Sequence, residues 1–348
     1  MYDINFYMKA HAFIKRIKKD GISKEAVALN FENFRSKKPM IYNIETTNAC
    51  NMRCRMCPRT TRMDRKITSL EGDFYTDILK QLSPHDDKLW SKWEKFCLKE
   101  YGIGLNSPPS ENHFFLFIIP KVIQLHGYGD PLLDKNLGSV IRQLTDNGLQ
   151  SYFSCNPANI DIGKTVEMME SGLNYLKYSF ESTDDDEFKQ IRGNASNFTQ
   201  AYEKALEVID IKERLGLVTT VIITMIDVNR EDQKEEFQRL KDKFMEKDVY
   251  IYLKSEDQQW YREDDSLKEY LEVRNRELPT GEKHGTNAIH WQEVCKHPWM
   301  SMTLKSDGFI TMCMEDYNNE IVLGDANNET LYSIWNGGAY KKFREDHF

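Results

Sequence analysis

Apolar positions follow two alternating patterns between residues 40 and 255. Short apolar runs typical of β-strands are separated by segments with apolar residues at helical spacing. Because crossovers between parallel strands are right-handed, this repeat predicts a partial (β/α)6 barrel of the TIM type, with its chemistry at the carboxyl ends of the strands. The six predicted strands are Met40–Glu45, Val122–His126, Leu149–Cys155, Tyr175–Glu181, Val218–Ile226 and Val249–Leu253.

Other patterns occupy the segments around this repeat and within it. Residues 1–39 predict an N-terminal helical arm ahead of a barrel domain over 40–255. An insertion at 83–120 carries apolar residues at helical spacing, which favours a helix packed on the flank of the barrel over a substrate lid. The charged stretch 256–290 predicts a linker, and residues 291–348 predict a small α+β extension.

Composition narrows the range of partners and compartments. The 348 residues are 40% hydrophobic and carry a net charge of -8, with a pI of about 5.6. A nucleic-acid binder normally presents excess positive charge, so we expect small molecules or peptides as partners and no nucleic acid. No apolar run reaches membrane-spanning length, and charges interrupt the amino terminus before a signal-peptide core develops. These features predict a cytoplasmic protein that does not bind membranes.

Three cysteines lie in one short loop directly after the first predicted strand. Cys50, Cys54 and Cys57 have the spacing CxxxCxxC in a chain of seven cysteines without a secretory signal, which favours metal or redox use over disulfides. A [4Fe-4S] cluster held by three thiolates keeps one iron open for an exogenous ligand. The spacing alone leaves a zinc site and three ordinary buried thiols as alternatives.

Further motifs follow in the order of the strands. HGYGDPLL comes after the second strand, SYFSCNPANI ends the third, SFES ends the fourth, and FKQIRG comes shortly afterwards. Together with the cysteine loop, these motifs resemble the radical SAM superfamily over residues 40–255. Asp130 stands where that family has a glutamate, which is longer by one methylene. The resemblance implies that S-adenosylmethionine (SAM) is bound by Gly127, Gly129, Asp130, Ser154, Asn156, Ser179, Glu181 and Arg192.

A second cysteine pattern is found in the C-terminal tail. Twelve residues separate Cys295 from Gly308, and Cys313 follows after four more. This spacing resembles the start of the SPASM and twitch extensions of radical SAM enzymes, which implies an auxiliary Fe–S cluster on Cys295 and Cys313. The downstream CxxC is absent, so a cubane lacks two of its four thiolates. The alternatives are a truncated sequence, a site completed by other ligands, a domain without a cluster, and two buried thiols on a hairpin.

The resemblance also implies a reaction. In that family the [4Fe-4S] cluster binds SAM and cleaves it reductively to a 5′-deoxyadenosyl radical, which abstracts a hydrogen atom from the substrate. The segment before the first strand is too short for a leader-binding domain, so we expect a small polar substrate such as a sugar or cyclitol. Dehydrogenation, epimerisation or rearrangement would make the enzyme an oxidoreductase or transformase. The alternatives are a SPASM-type enzyme that modifies ribosomal peptides and a non-catalytic Fe–S binding protein.

Two residues near these motifs are candidates for catalysis. A cavity-facing Cys155 would return a hydrogen atom to a substrate radical, whereas a packed thiol is the alternative, because its direction depends on strand register. His126 is a candidate general base, with a structural role as the alternative. A basic run around the cysteine loop is consistent with docking of an acidic electron donor such as flavodoxin or ferredoxin, with docking of a phosphate-bearing substrate, and equally with a solvated loop. This run comprises Arg53, Arg55, Arg59, Arg62, Arg65 and Lys66.

Overall fold

Six parallel strands form the centre of the molecule. The computed structural model describes residues 1–20, 23–227, 231–255 and 295–347, so the predicted linker at 256–290 lies outside the described residues. The six strands lie side by side in chain order, which confirms the predicted α/β fold with a partial barrel, and the sheet is not closed. They are β1 (Ile41–Ile44), β2 (Val122–Gln124), β3 (Gln150–Cys155), β4 (Tyr175–Ser179), β5 (Thr220–Asp227) and β6 (Val249–Ser255).

The C-terminal extension continues the same sheet. Strand β7 (Met302–Leu304) pairs in parallel with β1, and β8 (Phe309–Thr311) and β9 (Val322–Asp325) follow in antiparallel order. The complete order is β6-β5-β4-β3-β2-β1-β7-β8-β9. Because Ile44 lies opposite Leu304, the residues after β7 are brought next to the residues after β1. This pairing places the extension at the carboxyl end of the barrel.

Side-chain caps determine where several helices begin. Ser110, Asp184 and Asn197 each accept a hydrogen bond from the backbone N–H three residues further on, which satisfies a donor in the first turn. The helices are α1 (Ile4–Asp20), α2 (Lys24–Phe34), α3 (Pro58–Thr61), α4 (Gly72–Leu79), α5 (Asp87–Tyr101), α6 (Glu111–Phe117), α7 (Leu137–Asp146), α8 (Ile162–Glu170), α9 (Asp185–Arg192), α10 (Phe198–Leu215), α11 (Gln233–Lys243), α12 (His297–Met300), α13 (Leu331–Asn336) and α14 (Gly338–Asp346).

The two faces of the sheet pack in two separate apolar clusters. Strand alternation sends Phe153 and Cys155 to the outer cluster beneath α4, α7, α8 and α10. The same alternation sends Tyr152 of β3, Ile222 of β5 and Tyr252 of β6 to the inner cluster. The direction of each site side chain therefore follows from its parity in the strand.

Helices from the N-terminal arm and the insertion close the inner face of the sheet. The insertion contains α5 and α6, and the buried Trp93 of α5 donates a hydrogen bond from Nε1 to the carbonyl of Leu116 at 2.6 Å. Trp93 also contacts Tyr7 of α1 edge to face, with ring centroids 5.1 Å apart. The apolar face of the insertion is thus used for packing. Among the described residues, no helix is long and apolar enough to cross a bilayer.

Candidate active site

The cysteine loop runs from the end of β1 to the start of α3 and is anchored to the end of α9. The backbone N–H groups of Arg53 and Arg55 donate to the carbonyls of Arg192 and Ile191 at 3.1 and 2.9 Å. Gly193 has φ 96°, and a Cβ there would lie 3.1 Å from the backbone nitrogen of Arg53. Only glycine combines this backbone angle with so close an approach. The anchor therefore fixes the loop on both sides of Cys54.

The three thiols of this loop lie close enough to influence each other. Burial raises the pKa of Cys57 to about 11 and raises that of Cys50, and Cys54 adds to both shifts. Three thiolates at this position require nearby positive charge, which bound iron supplies. Among the described residues, no group of three Cys, His, Asp or Glu side chains is arranged to hold a single metal ion. A cubane instead places each thiolate on a different iron, which suits this donor set.

A buried ion pair connects the cysteine loop to the end of β4. Glu181 is 3% exposed, and its Oε2 accepts a hydrogen bond from Nε of Arg192 at 2.5 Å. Nη1 of the same guanidinium lies 3.5 Å from Sγ of Cys54. The structure therefore brings together two predicted SAM residues and one predicted cluster ligand. All three guanidinium nitrogens of Arg192 already contact protein groups, and Oε1 of Glu181 is buried without a hydrogen-bond partner in the described structure.

The glycine-containing loop after β2 packs directly against the start of the cysteine loop. A Cβ on Gly129 would lie 2.1 Å from the carbonyl oxygen of Thr47, and one on Gly127 would lie 2.5 Å from Oε2 of Glu45. Asp130 is buried, with one oxygen accepting from the N–H of Leu132 at 3.0 Å. The glycines are therefore required for close approach of two loops. Such packing leaves their backbones, rather than side chains, available toward a ligand.

Two asparagines link this loop to the end of β3. The second carboxylate oxygen of Asp130 accepts from Nδ2 of Asn159 at 2.6 Å, and Asn159 exchanges amide hydrogen bonds of 2.8 Å with Asn51 in the cysteine loop. Burial raises the pKa of Asp130, and the hydrogen bond from Asn159 opposes that shift. Asp130 therefore acts within the protein as a bridge between loops. The nearby Asn156 is buried, and its Nδ2 has no hydrogen-bond partner in the described part of the chain.

Polar side chains from β2, β3 and β4 meet on the inner face. Oγ of Ser154 lies 3.4 Å from Oγ of Ser179, and the N–H of Ser154 donates to Nδ1 of His126 at 3.2 Å. Burial lowers the pKa of His126 to about 3, and the charge of Lys177 contributes to this shift. His126 is thus neutral near pH 7 with Nδ1 occupied, so its proton resides on Nε2. This geometry favours the structural role of His126 over the role of general base.

Cys155 faces away from the site. Its side chain is 6% exposed and packs in the outer cluster, and Sγ lies 3.9 Å from the carbonyl oxygen of Lys177. Burial raises the pKa of this thiol well above its usual range. A hydrogen-atom donor has to reach the inner cavity, and strand parity directs Cys155 to the opposite side of the sheet. The predicted role as a hydrogen-atom donor is therefore not supported by this orientation, and the packed alternative is.

Glu45 is a buried acid whose role the sequence motifs did not reveal. It is fully buried directly after β1, with Oε1 2.6 Å from Nη2 of Arg65 and accepting from Oγ of Ser306 at 3.0 Å. Its Oε2 accepts from the N–H of Tyr128 at 3.1 Å. This one carboxylate joins the segment after α3, the loop after β2 and the turn after β7. The sequence signal was an acid at the end of an apolar strand, which needs a buried partner.

A second set of contacts from the extension reaches the loop after β2. Lys305 is 1% exposed, donates from Nζ to the carbonyl of Met314 at 3.0 Å and lies 5.7 Å from the ring centroid of Tyr128. The hydroxyl of Tyr128 donates to Oε2 of Glu315 at 3.4 Å. Because Glu315 lies two residues after Cys313, this network connects the extension's second cysteine to the barrel.

The two cysteines of the extension provide only part of the ligand set that a cubane cluster needs. Cys295 is exposed and Cys313 is half-buried, and burial raises the pKa of Cys313 to about 11, with Cys295 contributing. The two thiols are therefore neighbours. Within the described residues, no third Cys, His, Asp or Glu side chain joins them in a group suited to a metal ion. This donor set does not fit a complete cubane, so no step of the chemistry is derived through an auxiliary cluster.

The basic run around the cysteine loop divides into buried and exposed members. Arg65 has a side chain 6% exposed and is paired with Glu45, and Arg59 donates from Nε to the carbonyl of Asn48 at 2.9 Å. Arg53, Arg55 and Lys66 are exposed. The exposed members of the run are accessible at the surface, whereas Arg65 pairs with groups inside the protein.

Comparison with protein families assigns two segments of the chain to known families. The family described as the Radical SAM superfamily matches residues 44–240, which is more than half of the chain. A second family, SPASM, described as an iron–sulfur cluster-binding domain, matches residues 295–348. The cofactors of these families are a [4Fe-4S] cluster and SAM, with auxiliary Fe–S clusters in the SPASM domain. No protein among the curated sequences matches this chain.

Solved structures with a similar fold include two states of one bacterial protein. Streptococcus suis SuiB bound to precursor peptide SuiA has a TM-score of 0.57 and 14% identity, covering 92% of this chain and 70% of SuiB. SuiB bound to S-adenosylmethionine has a TM-score of 0.56 and 12% identity, covering 97% and 78%. BtrN in complex with AdoMet and 2-DOIA has a TM-score of 0.45 and 15% identity, covering 88% and 85%. At these identities the likeness to SuiB establishes the fold alone.

Proposed function

The chain belongs to the radical SAM superfamily, and on that premise we propose that it abstracts a hydrogen atom from a small polar substrate, such as a sugar or cyclitol. Dehydrogenation, epimerisation or rearrangement of that substrate would follow. When bound, the [4Fe-4S] cluster and SAM supply a 5′-deoxyadenosyl radical as the abstracting species. The protein's own contribution is to hold these groups, orient the substrate and exclude water.

The residues that would hold the cluster and SAM surround one end of the sheet. Cys50, Cys54 and Cys57 would ligate three irons and leave the fourth open. The backbone of the loop containing Gly127 and Gly129 would face SAM, together with the side chains at the ends of β3 and β4. Asn156 offers an unpartnered buried Nδ2 donor and Glu181 an unpartnered buried Oε1 acceptor. Buried groups of this kind require a hydrogen-bond partner, and a polar cofactor provides one.

The observation that carries the proposed substrate class is the polarity of the inner face. Ser154 and Lys177 occupy paired inward positions on β3 and β4, and Ser179 and Thr224 occupy the next inward pair on β4 and β5. A purely apolar substrate would leave these groups without partners at a cost for each one. The surface instead suits a compact ligand with several hydroxyl or charged groups.

Modification of a peptide is the second candidate. The two similar structures of SuiB have TM-scores above 0.5, and one of them contains precursor peptide SuiA. A peptide-modifying enzyme would need an open groove leading to the inner face, and its substrate would present a backbone rather than a ring of hydroxyls. A protein that binds the cluster without catalysis would not need the unpartnered groups on Asn156 and Glu181, so this alternative is the least supported.

An anaerobic reconstitution tests the proposed chemistry. We expect the wild-type holoprotein to form 5′-deoxyadenosine from SAM in the presence of dithionite, and the Cys50→Ala/Cys54→Ala/Cys57→Ala variant to form none. Iron and sulfide contents of both proteins measure cluster loading independently. If a wild-type protein with a fully loaded cluster produced no 5′-deoxyadenosine, the proposed reaction would be rejected. Binding of a precursor peptide, but of no sugar or cyclitol, would favour the second candidate.

The electron for SAM cleavage would come from a separate donor. Flavodoxin and ferredoxin are acidic proteins of the right kind. The exposed Arg53 and Arg55 lie on the cysteine loop, and the exposed Lys66 follows α3. Complementary charge raises the rate of encounter more than the final affinity. Substitution of these three residues by serine would therefore slow reduction by the protein donor while leaving reduction by dithionite unchanged.

A further inference from the structure

Lys177 is a buried lysine without a partner on the inner face of β4. It is 8% exposed, and its Nζ lies 5.6 Å from the ring centroid of Phe114 and 6.0 Å from that of Tyr152. No hydrogen bond or ion pair is formed by this ammonium group with any described residue. Two aromatic faces offset only part of the cost of burying a charge. The group therefore lacks a counterion in this structure.

Lys254 of β6 points into the same space. Tyr250 and Tyr252 of β6 pack in the inner cluster, so Lys254 continues the inward-facing set at the carboxyl end of the strand. Burial lowers the pKa of His126 most, and the charges of Lys177 and Lys254 lower it further, which agrees with the shared inward direction of the two lysines. Lys254, like Lys177, has no ion pair with any described residue.

The acidic groups near the two lysines are already occupied. Glu181 is paired with Arg192, and Glu111 of α6 accepts hydrogen bonds from the N–H and Oγ of Ser255 at 3.1 and 2.6 Å. His126 is neutral and adds no negative charge. Glu181 and Glu111 offset part of the charge of Lys177 from a distance, but neither lysine forms an ion pair with a described carboxylate, which makes the inner face attractive to an anion.

We propose that Lys177 and Lys254 form an oxyanion-binding site, and that the substrate carries a carboxylate or phosphate group that binds between them. This inference rests on the proposed function and specifies its substrate class. The anion would supply the missing counterion, and the aromatic faces of Phe114 and Tyr152 would hold the Lys177 ammonium group in position. The carboxylate of SAM is the other source of an oxyanion at this end of the sheet, so the experiment has to separate the two.

Inorganic phosphate is the probe for the site. We expect phosphate to raise the melting temperature of the reconstituted, SAM-loaded wild type above that in sodium chloride of equal ionic strength. The shift should be lost in Lys177→Met and retained in Lys164→Met, a matched change at an exposed lysine of α8. Without phosphate, Lys177→Met should melt roughly 2 °C or more above wild type, because an unpaired buried charge is removed.

The dependence of stability on pH gives an independent readout. The pKa of Lys177 is lowered from its usual 10.5 to about 7. Burial is the largest cause, and the charge of Lys254 is the second. The unfolded chain binds the proton of Lys177 more tightly than the folded protein does. The loss of folding stability caused by Lys177 therefore grows as pH falls from about 10.5 to about 7, and it is constant below about pH 7. The melting temperature of Lys177→Met should therefore exceed that of wild type by more at about pH 7 than at about pH 9.5. The other charged groups that face position 177 are the same in wild type and in Lys177→Met, namely Glu181, Glu111, Arg192 and Lys254.

Three results would contradict the proposed oxyanion-binding site. An equal phosphate shift in wild type and Lys177→Met would mean adventitious binding elsewhere. A phosphate shift seen in the reconstituted protein without SAM but absent from the SAM-loaded protein, with SAM binding to Lys177→Met weakened about tenfold or more in calorimetry, would assign the lysines to the SAM carboxylate. A lower melting temperature of Lys177→Met would mean that the lysine is already neutralised. None of these readouts uses 5′-deoxyadenosine, so failure of the proposed reaction remains a separate outcome.

Discussion

The two cysteine-containing regions of this protein differ in how many cluster ligands they bring together. The loop of Cys50, Cys54 and Cys57 carries three thiols on one short segment, which neighbouring loops and the end of α9 hold in place. In the extension, Cys295 and Cys313 come from separate segments, and no third ligand group joins them among the described residues. Family comparison assigns iron–sulfur binding to both regions, yet only the first presents a donor set matched to its cluster.

The two regions also differ in whether the contacts that hold them in place involve their thiols. The extension is held by the pairing of β7 with β1 and by the contacts of Glu45 with Ser306, none of which involves a thiol. The cysteine loop, in contrast, is a loop between a strand and a helix whose buried thiols acquire a purpose only with bound metal. We infer that the extension keeps its fold without a cluster, whereas the first loop depends on one for its function.

The largest expected difference comes from removing one thiol in each region. Cys54→Ser should lose the first cluster and lower the formation of 5′-deoxyadenosine at least about 100-fold, because a cubane is left with two thiolates. Cys313→Ser should retain the first cluster and its SAM cleavage. Iron content, the absorbance of the cluster and 5′-deoxyadenosine measure these effects. Equal loss in both variants would show that the two regions form one interdependent centre.

The second effect concerns the carboxylate that joins the two regions. Glu45→Gln removes the carboxylate nearest the buried Arg65 and leaves it only Asp307 at 3.7 Å, which should lower the free energy of unfolding by about 3 kcal/mol. Ser306→Ala is the matched control, since it removes one hydrogen bond to the same carboxylate and should cost about 1 kcal/mol. Urea unfolding of both variants gives the comparison. A loss for Glu45→Gln no larger than that of the control would mean that the extension is held by strand pairing alone.

Much of this architecture could be predicted from the sequence because its signals are local. The apolar runs and helical spacing predicted six parallel strands, and strand order placed the motifs containing Gly127, Ser154 and Ser179 at one end of the sheet. The spacing of three cysteines within one loop is likewise a local property. Each of these features is determined by residues that are near one another in the chain.

What the sequence did not predict depends on contacts between distant residues. The pairing of β7 with β1 and the ion pair of Glu45 with Arg65 each join segments whose patterns carry no sign of the partner. The unpaired Lys177 was hidden in an ordinary strand, because its environment is created by rings from β3 and α6. The direction of Cys155 required the strand register, which a one-residue shift would have reversed.

The smallest effect is expected at a third kind of cysteine, which belongs to neither region. Cys155 packs in the outer cluster, so Cys155→Ala should remove a few buried contacts and lower the free energy of unfolding by about 1 kcal/mol. Cluster content and 5′-deoxyadenosine formation should match wild type, because the thiol does not face the inner surface. Cys97→Ala in α5 provides the control, since that thiol is buried in the inner cluster and far from the motifs in sequence. If Cys155→Ala folded with wild-type stability but failed to complete turnover of a substrate, the thiol would have to reach the inner face, and the strand parity assigned to β3 would be wrong.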